Sequence, residues 1–360
     1  MIRILVADDS ATSRALLVDL LNGEPDFQVI GEASNGREAV EMAERHMPDL
    51  VTMDVQMPVL DGLEATKQIM VRSPCPIIII SHSARDDEVG LSLEALRAGA
   101  LMVLPKPDGP LSPRFASDRR QVTTMARAMS QVKVVRRHGA TTSPIAAASG
   151  TPTARFASRP PAPAGTRAIG QVALVAIGAS TGGPAALRII LADLPRAFPV
   201  PILVVQHIAR GFTAGLAHWL DGDTPLEVRL GEIGEVALPG HVYIAPDDRH
   251  LGCRADAAGI IRLVIDAAAP VGAFRPSASY LFQSVAEALG PAALHVILTG
   301  MGDDGVAGLR VAKAAGGRVL AQDEATSVIY GMPREAALAR VVDSVVALPD
   351  VARRLMELTS

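Results

Sequence analysis

Twice along its 360 residues the sequence settles into one rhythm: short, mostly apolar runs separated by stretches whose apolar residues return at helical spacing. In the first pass the runs are residues 2–7, 29–33, 50–53, 77–80 and 100–104. Leu17, Leu20 and Leu21 fall between them at the spacing of one helix face, as do Ala39, Val40 and Ala43. The run Ile77-Ile78-Ile79-Ile80 offers no polar face. Such a strand suits a parallel sheet with helices on both sides. Residues 1–107 are therefore predicted to form a small, doubly wound α/β domain.

The rhythm then breaks. Residues 119–168 contain no Asp or Glu but nine Lys or Arg. Val122, Met125, Ala126, Met129 and Val132 are spaced to make one amphipathic helical face. Residues 141–167 are rich in Ala, Pro, Ser and Thr without a period, the composition of a flexible tether. Residues 108–168 are accordingly read as a linker, partly helical and then flexible. From residue 169 the alternation returns. Strands are predicted at 172–177, 201–206, 227–230, 242–245, 260–265, 295–298, 318–321 and 341–347, and helices at 184–194, 213–220, 278–289 and 306–315. This describes a second, larger, Rossmann-like parallel-sheet domain over 169–360, with a β-hairpin insertion near 242–265.

Several function classes are disfavoured. A net charge of −4 gives no general reason to expect nucleic-acid binding, and no basic helix-turn-helix output region is present. Cys75 and Cys253 stand in different domains and form neither a disulfide framework nor a zinc site. No apolar run reaches the ~20 residues needed to span a bilayer, and the N-terminus lacks a signal-peptide pattern. The expectation is a cytoplasmic, monomeric protein without membrane insertion.

Asp8 and Asp9 end the first strand and Asp54 ends the third. Carboxyl ends of strands meet where a doubly wound sheet binds ligands. Three clustered carboxylates repel one another and call for a hard cation, typically octahedral Mg²⁺. Such an ion also screens a carboxylate that attacks phosphorus. Ser81 and Lys106, at the ends of the fourth and fifth strands, can hydrogen-bond and charge-pair a phosphoryl group.

In the second pass, Gly178-Ala179-Ser180-Thr181-Gly182-Gly183-Pro184 follows a strand and opens a helix. Its glycines permit a tight turn that projects Ser180 at a helix N-terminus, the G-x-S-x-G pattern of a nucleophile. The same turn can be read as a phosphate loop, which would make the domain a non-enzymatic nucleotide-binding module. It lacks G-x-G-x-x-G, however, and residues 202–205 put a strand where an acidic residue is expected. A serine nucleophile needs a base and an orienting carboxylate. His207 ends the next strand, and Asp303 and Asp304 follow the strand at 295–298; spacing does not choose between the two carboxylates.

These residues carry two resemblances. Asp54-Val55-Gln56-Met57-Pro58-Val59-Leu60-Asp61-Gly62 matches the D-x-x-M-P-x-x-D-G signature of flavodoxin-like response-regulator receiver domains, and Lys106-Pro107 matches their K-P ending. That resemblance implies phosphorylation of Asp54, Mg²⁺ held by Asp9, Asp54 and the Gln56 carbonyl with Asp8 assisting, and Ser81 and Lys106 as switch residues. Val103 stands where such domains usually carry a rotating aromatic. The second domain resembles the CheB family of chemotaxis protein-glutamate methylesterases through Gly178–Gly183, Gln206-His207 and Thr299-Gly300-Met301-Gly302-Asp303-Asp304-Gly305. Arg275-Pro276-Ser277 and Gly331-Met332-Pro333 add to the match. The order Ser, His, Asp differs from that of α/β-hydrolases. The resemblance implies Ser180 as nucleophile, His207 as general base and Asp304 as its orienting carboxylate. It also implies an oxyanion hole at Met301 with the Ser180–Thr181 region. The activity so implied is hydrolysis of glutamate γ-methyl esters and deamidation of glutamines on methyl-accepting chemotaxis receptors. A chemotaxis histidine kinase would be the phosphodonor, and ester hydrolysis would need no cofactor.

Overall fold

A computed structural model describes residues 1–81, 86–132, 134 and 171–360. The predicted tether at 141–167 lies outside the described residues. The first domain runs β1 (Ile2–Ala7), α1 (Ala11–Asn22), β2 (Phe27–Ala33), α2 (Gly36–His46), β3 (Leu50–Met53), α3 (Gly62–Arg72), β4 (Ile77–Ser81), α4 (Asp86–Ala98), β5 (Met102–Pro105) and α5 (Phe115–Met129). Its sheet has the order β2-β1-β3-β4-β5, with every pairing parallel. All five residues of β4 are buried, as a strand without a polar face requires.

Local chemistry sets the helix starts. Ser10, Asn35 and Asp61 each accept a backbone N–H of the first turn of the helix they precede. The Asp61-Gly62 pair has a second purpose. A Cβ at Gly62 would fall 1.9 Å from the Asp54 carbonyl oxygen, so only glycine lets α3 begin this close to β3.

The helical face expected at residues 122–132 forms, but it packs on the first domain rather than connecting the two. Val122, Ala126 and Met129 of α5 are buried against Ile4, Leu17, Leu20 and Leu21. This corrects the reading of residues 108–168 as linker: the first folded unit extends through Met129.

The second domain continues with β6 (Leu174–Ala179), α6 (Gly183–Ala192), β7 (Ile202–Gln206), α7 (Thr213–Asp223), β8 (Glu227–Leu230), β9 (His241–Ile244), β10 (His250–Ala255), β11 (Ile261–Asp266) and α8 (Ala278–Leu289). It ends with β12 (Ala293–Ile297), α9 (Val306–Ala314), β13 (Arg318–Gln322), α10 (Met332–Leu338), β14 (Ser344–Val346) and α11 (Leu348–Thr359). Seven strands form a parallel sheet in the order β14-β13-β12-β6-β7-β9-β8. The strand at 242–245 belongs to this sheet; the hairpin is β10–β11, antiparallel and further along the chain than expected. The chain leaves β6 toward β7 and later returns to its other side at β12, so the carboxyl end of β6 is a topological switch point.

The two domains pack together. Helix α4 rests on α6 and α7, and the Arg97 guanidinium lies 3.4 Å from Asp223. Ile329 of the second domain packs against the core cluster of the first. Between them is a cavity of about 470 Å³, walled by Leu101, Val103, Gln121 and Met125 on one side and by Ser180, His207, Phe274 and Met301 on the other.

Candidate active site and phosphoacceptor pocket

Asp8, Asp9 and Asp54 each bring a carboxylate oxygen to within 4.8 Å of the others at the carboxyl edge of the first sheet. Lys106 Nζ stands 2.7 Å from Asp54 Oδ2 and 2.8 Å from Asp8 Oδ2. Burial raises the Asp54 carboxyl above its ordinary value, and the bond from Lys106 pulls it back. Burial also opposes the charged form of Lys106, but its contacts with Asp54 and Asp8 outweigh that cost and hold the ammonium above its usual range. Asp54 Oδ1 accepts the Val55 N–H at 2.7 Å. Ser81 is fully buried at the end of β4, and its carbonyl accepts the Lys106 N–H at 3.0 Å. Gln56 sits two residues beyond Asp54 in the β3–α3 loop. The donor set, three carboxylates on one edge, is all oxygen and anionic, and fits a hard divalent cation.

In the second domain the β6–α6 turn holds Ser180 tightly. Ser180 N–H donates to Thr299 O at 3.0 Å, and its own carbonyl accepts from Gly183 N–H at 2.8 Å and Gln206 Nε2 at 2.7 Å. Gly182 takes a left-handed φ of +79°, and a Cβ there would meet Val328 at 2.6 Å. A Cβ at Gly183 would fall 2.0 Å from Gln206 Oε1. The glycines are thus used for close packing, and the reading of this turn as a phosphate loop is not supported.

His207 follows β7, its Nε2 2.9 Å from Asp304 Oδ2. Its Nδ1 has no partner among the described residues. Asp304 is buried and takes four further hydrogen bonds, from Ser277 Oγ at 2.8 Å and from the N–H groups of Ala278, Ser279 and Gly305 at 2.7, 3.0 and 2.9 Å. Two of those donors open α8, where the helix dipole also favours an anion. Burial alone would raise the Asp304 carboxyl, but the bonds from His207, Ser277 and Ser279 hold it down at about 2. Asp303 is exposed, so of the two carboxylates left open by spacing it is Asp304 that meets the histidine.

Thr181 and Met301 flank the nucleophile turn on the β6 and β12 sides. Their backbone N–H groups donate to no acceptor among the described residues, leaving two donors free beside Ser180.

Three features escaped the sequence reading. Gln206 is buried and its Nε2 also donates to His207 O at 2.8 Å, so one amide ties the serine turn to the histidine turn. Ser277, Ala278 and Ser279 anchor Asp304; the Arg275-Pro276-Ser277 motif was visible, but nothing in spacing tied it to a carboxylate 27 residues on. Phe274 stacks on the His207 ring at 4.3 Å between centroids and 9° between planes.

Fold and geometry together define a receiver-type domain closed over the carboxyl edge of a larger α/β domain bearing a Ser, His, Asp constellation. The comparisons agree with both halves. The model for the response regulator receiver domain matches residues 4–111, and that for the CheB methylesterase matches residues 175–355. A protein-glutamate methylesterase/protein-glutamine glutaminase of Myxococcus xanthus is 53% identical, over 98% of this chain and 96% of its own. One from Anaeromyxobacter dehalogenans is 49% identical, over 99% and 98%. The crystal structure of the Thermotoga maritima CheB methylesterase catalytic domain superposes with a TM-score of 0.51 at 40% identity, covering 52% of this chain and 99% of that one. The chain belongs to the CheB methylesterase family.

Proposed function

We propose that this chain hydrolyses glutamate γ-methyl esters, and deamidates glutamines, on methyl-accepting chemotaxis receptors, under control of Asp54 phosphorylation by a chemotaxis histidine kinase. The observation that carries the reading is the bond from buried Asp304 to His207, which lines with Ser180 the cavity that the first domain walls off. Ser180 Oγ attacks the ester or amide carbonyl. His207 takes its proton at Nδ1, the nitrogen not committed to Asp304, and Asp304 stabilises the imidazolium through Nε2. The N–H groups of Met301 and Thr181 receive the oxyanion. Collapse expels methanol or ammonia, which takes the proton back from His207, and water then releases the acyl group from Ser180 by the same steps.

In the first domain, Asp8, Asp9 and Asp54, with the Gln56 carbonyl, would hold Mg²⁺. When bound, the ion supplies positive charge that screens the carboxylates from an incoming phosphoryl group. Phosphorylation replaces the single carboxylate charge of Asp54 with an acyl phosphate carrying ~2 negative charges, and Lys106 and Ser81 stand where they can re-pair with it. Lys106 lies three residues after Val103, which lines the inter-domain cavity. A change at the phosphoacceptor therefore reaches the cover of the active site through one short strand, without an aromatic switch. Among the described residues no helix is long and apolar enough to cross a membrane; a cytoplasmic location is part of this reading.

Two measurements test it. Acetyl phosphate with Mg²⁺ should label the protein with a hydroxylamine-labile phosphoryl group, and Asp54→Asn should abolish that label; retained labelling would place the phosphoacceptor elsewhere. A fragment starting at residue 169 should release methanol from methylated receptor at least ~10-fold faster than the unphosphorylated full chain, a shift of about 1.4 kcal/mol. Equal rates would sink control by covering.

A further inference from the structure

Phe274 packs on the catalytic imidazole without taking part in the steps above. Resting on the reading of Ser180 and His207 as nucleophile and base, we propose that Phe274 is a positioning residue that fixes the plane of the His207 ring. An imidazole tethered at one point can still swing about that bond. His207 has one side-chain hydrogen bond, from Nε2 to Asp304, and Nδ1 has no partner among the described residues. The second restraint is the Phe274 ring, stacked nearly parallel to the imidazole at 9° with 4.3 Å between centroids. With Phe274 in place, Nδ1 is confined to a narrow arc, and rotation out of that plane meets an aromatic face.

Phe274 is itself anchored. Its N–H and C=O exchange hydrogen bonds with Val271, both 3.1 Å long, across a turn in which Gly272 takes φ +60°. The next residue, Arg275, donates from Nε to Asp248 Oδ1 at 2.8 Å and from a terminal nitrogen to Ala268 O at 3.1 Å. These bonds turn residues 267–275 into a strap across the catalytic base. Phe274 also lines, beside His207 itself, the cavity that Val103 and Met125 wall from the first domain.

The test uses the full chain with p-nitrophenyl acetate as probe and the Ser180→Ala protein as blank. Phe274→Leu keeps apolar bulk but no ring, and Phe274→Tyr keeps the ring. Phe274→Leu is expected to lower kcat roughly 10- to 30-fold with KM within about twofold, inside the ~10²-fold cost of a 1 Å misplacement of a reacting group. Phe274→Tyr should stay within about threefold of wild type. In parallel, the imidazole C–H resonances of His207 should sit at ring-current-shielded positions in wild type and Phe274→Tyr, and lose that shielding in Phe274→Leu. Filling of space alone would leave Phe274→Leu as active as wild type; that result, or unshielded His207 resonances in wild type, overturns the proposal. Phe274→Ala serves only as a limiting case, since the Leu and Tyr pair decides the matter even if the smaller residue unfolds the strap. If wild-type hydrolysis survives Ser180→Ala, the nucleophile assignment itself fails, and the resonance measurement still reports on the stack independently.

Discussion

At the end of β3, Asp54 faces two other carboxylates and one ammonium; after β12, Asp304 faces a histidine and four other hydrogen-bond donors. Both are buried acids at the carboxyl edge of a parallel sheet. They are held by opposite means, as the opposite tasks proposed for them require. In the proposed mechanism Asp54 accepts a group and changes charge; apart from the Val55 N–H, it faces side chains that can re-pair, Lys106, Asp8 and Asp9. Asp304 has to keep one orientation, so three of its five bonds come from backbone N–H groups that cannot rotate away. The pKa directions follow, with burial raising the Asp54 carboxyl and the donors depressing Asp304 to about 2.

The largest effect that could break this contrast is loss of the triad. Ser180→Ala should cost ~10⁶-fold in turnover and His207→Ala a similar amount, whereas Asp304→Asn should cost ~10⁴-fold through a wrongly oriented imidazole. Asp54→Asn, tested alongside in methanol release from methylated receptor, should leave unphosphorylated turnover near wild type and remove only the response to phosphodonor. If Asp54→Asn lowered basal turnover as far as the triad variants do, the division into a charge-switching site and a fixed site would be wrong.

A second test separates the domains by acid. His295 is fully buried on β12, and burial lowers its pKa from 6.5 to about 4. A base depressed in the folded state binds its proton more readily when unfolded. Its contribution is therefore complete above pH 6.5 and is lost as pH falls from 6.5 to about 4. The size is on the order of 3 kcal/mol. Asp304 acts lower, its contribution being lost only as pH falls from 3.8 toward 2. Acid should thus weaken the second domain in two steps. His295→Leu should flatten the first, read as a urea midpoint that changes little between pH 7 and 4.5. An unchanged slope in that variant would assign the acid sensitivity to another group.

The same contrast explains what could be read in advance. The groups of the first pocket lie at the ends of apolar runs, and a parallel sheet brings strand ends together, so Asp8, Asp9, Asp54, Ser81 and Lys106 are visible as a cluster before any coordinates. The surroundings of Asp304 are not. Three of its donors are backbone N–H groups, of residues 278, 279 and 305, and any sequence has those; only the fold aims them. Helix α5 falls in the stretch read as a partly helical linker because residues 119–168 are basic and lack Asp and Glu, although its apolar face is legible. What the sequence hides is the partner face at Leu17, Leu20 and Leu21, about 100 residues earlier. Strand β10, His-Leu-Gly-Cys-Arg-Ala, carries neither β-branched residues nor alternation and forms through pairing with β11 and packing on α8. Phe274 reaches His207 from a loop, where no period points to a contact.

The smallest predicted effect concerns where strain resides. Val59, in the loop between Asp54 and the Asp61 cap, takes φ +69°, and Leu60 N–H donates to Pro58 O at 2.8 Å across it. That is a γ-turn centred on a β-branched residue, a conformation that costs about 1–2 kcal/mol relative to one without a Cβ. The side chain is 72% exposed, so replacing it removes little packing. The second domain also has non-glycine residues at positive φ, Asp248 and Arg340, but neither is β-branched. Strain of this kind thus sits beside the acid that must change partners, away from the one that must stay fixed. Val59→Gly should raise stability by roughly 1 kcal/mol, the steric relief being partly offset by the greater freedom of glycine in the unfolded chain. Val59→Ala should gain less, since a Cβ still meets the turn. A urea midpoint for Val59→Gly at or below that of wild type would show that the loop carries no strain to release. The rate of phosphorylation by acetyl phosphate, measured on the same protein, then shows whether the strain serves the chemistry at Asp54. A stabilised variant with slower labelling would mean that the loop is held tense to keep the pocket open to a phosphoryl group.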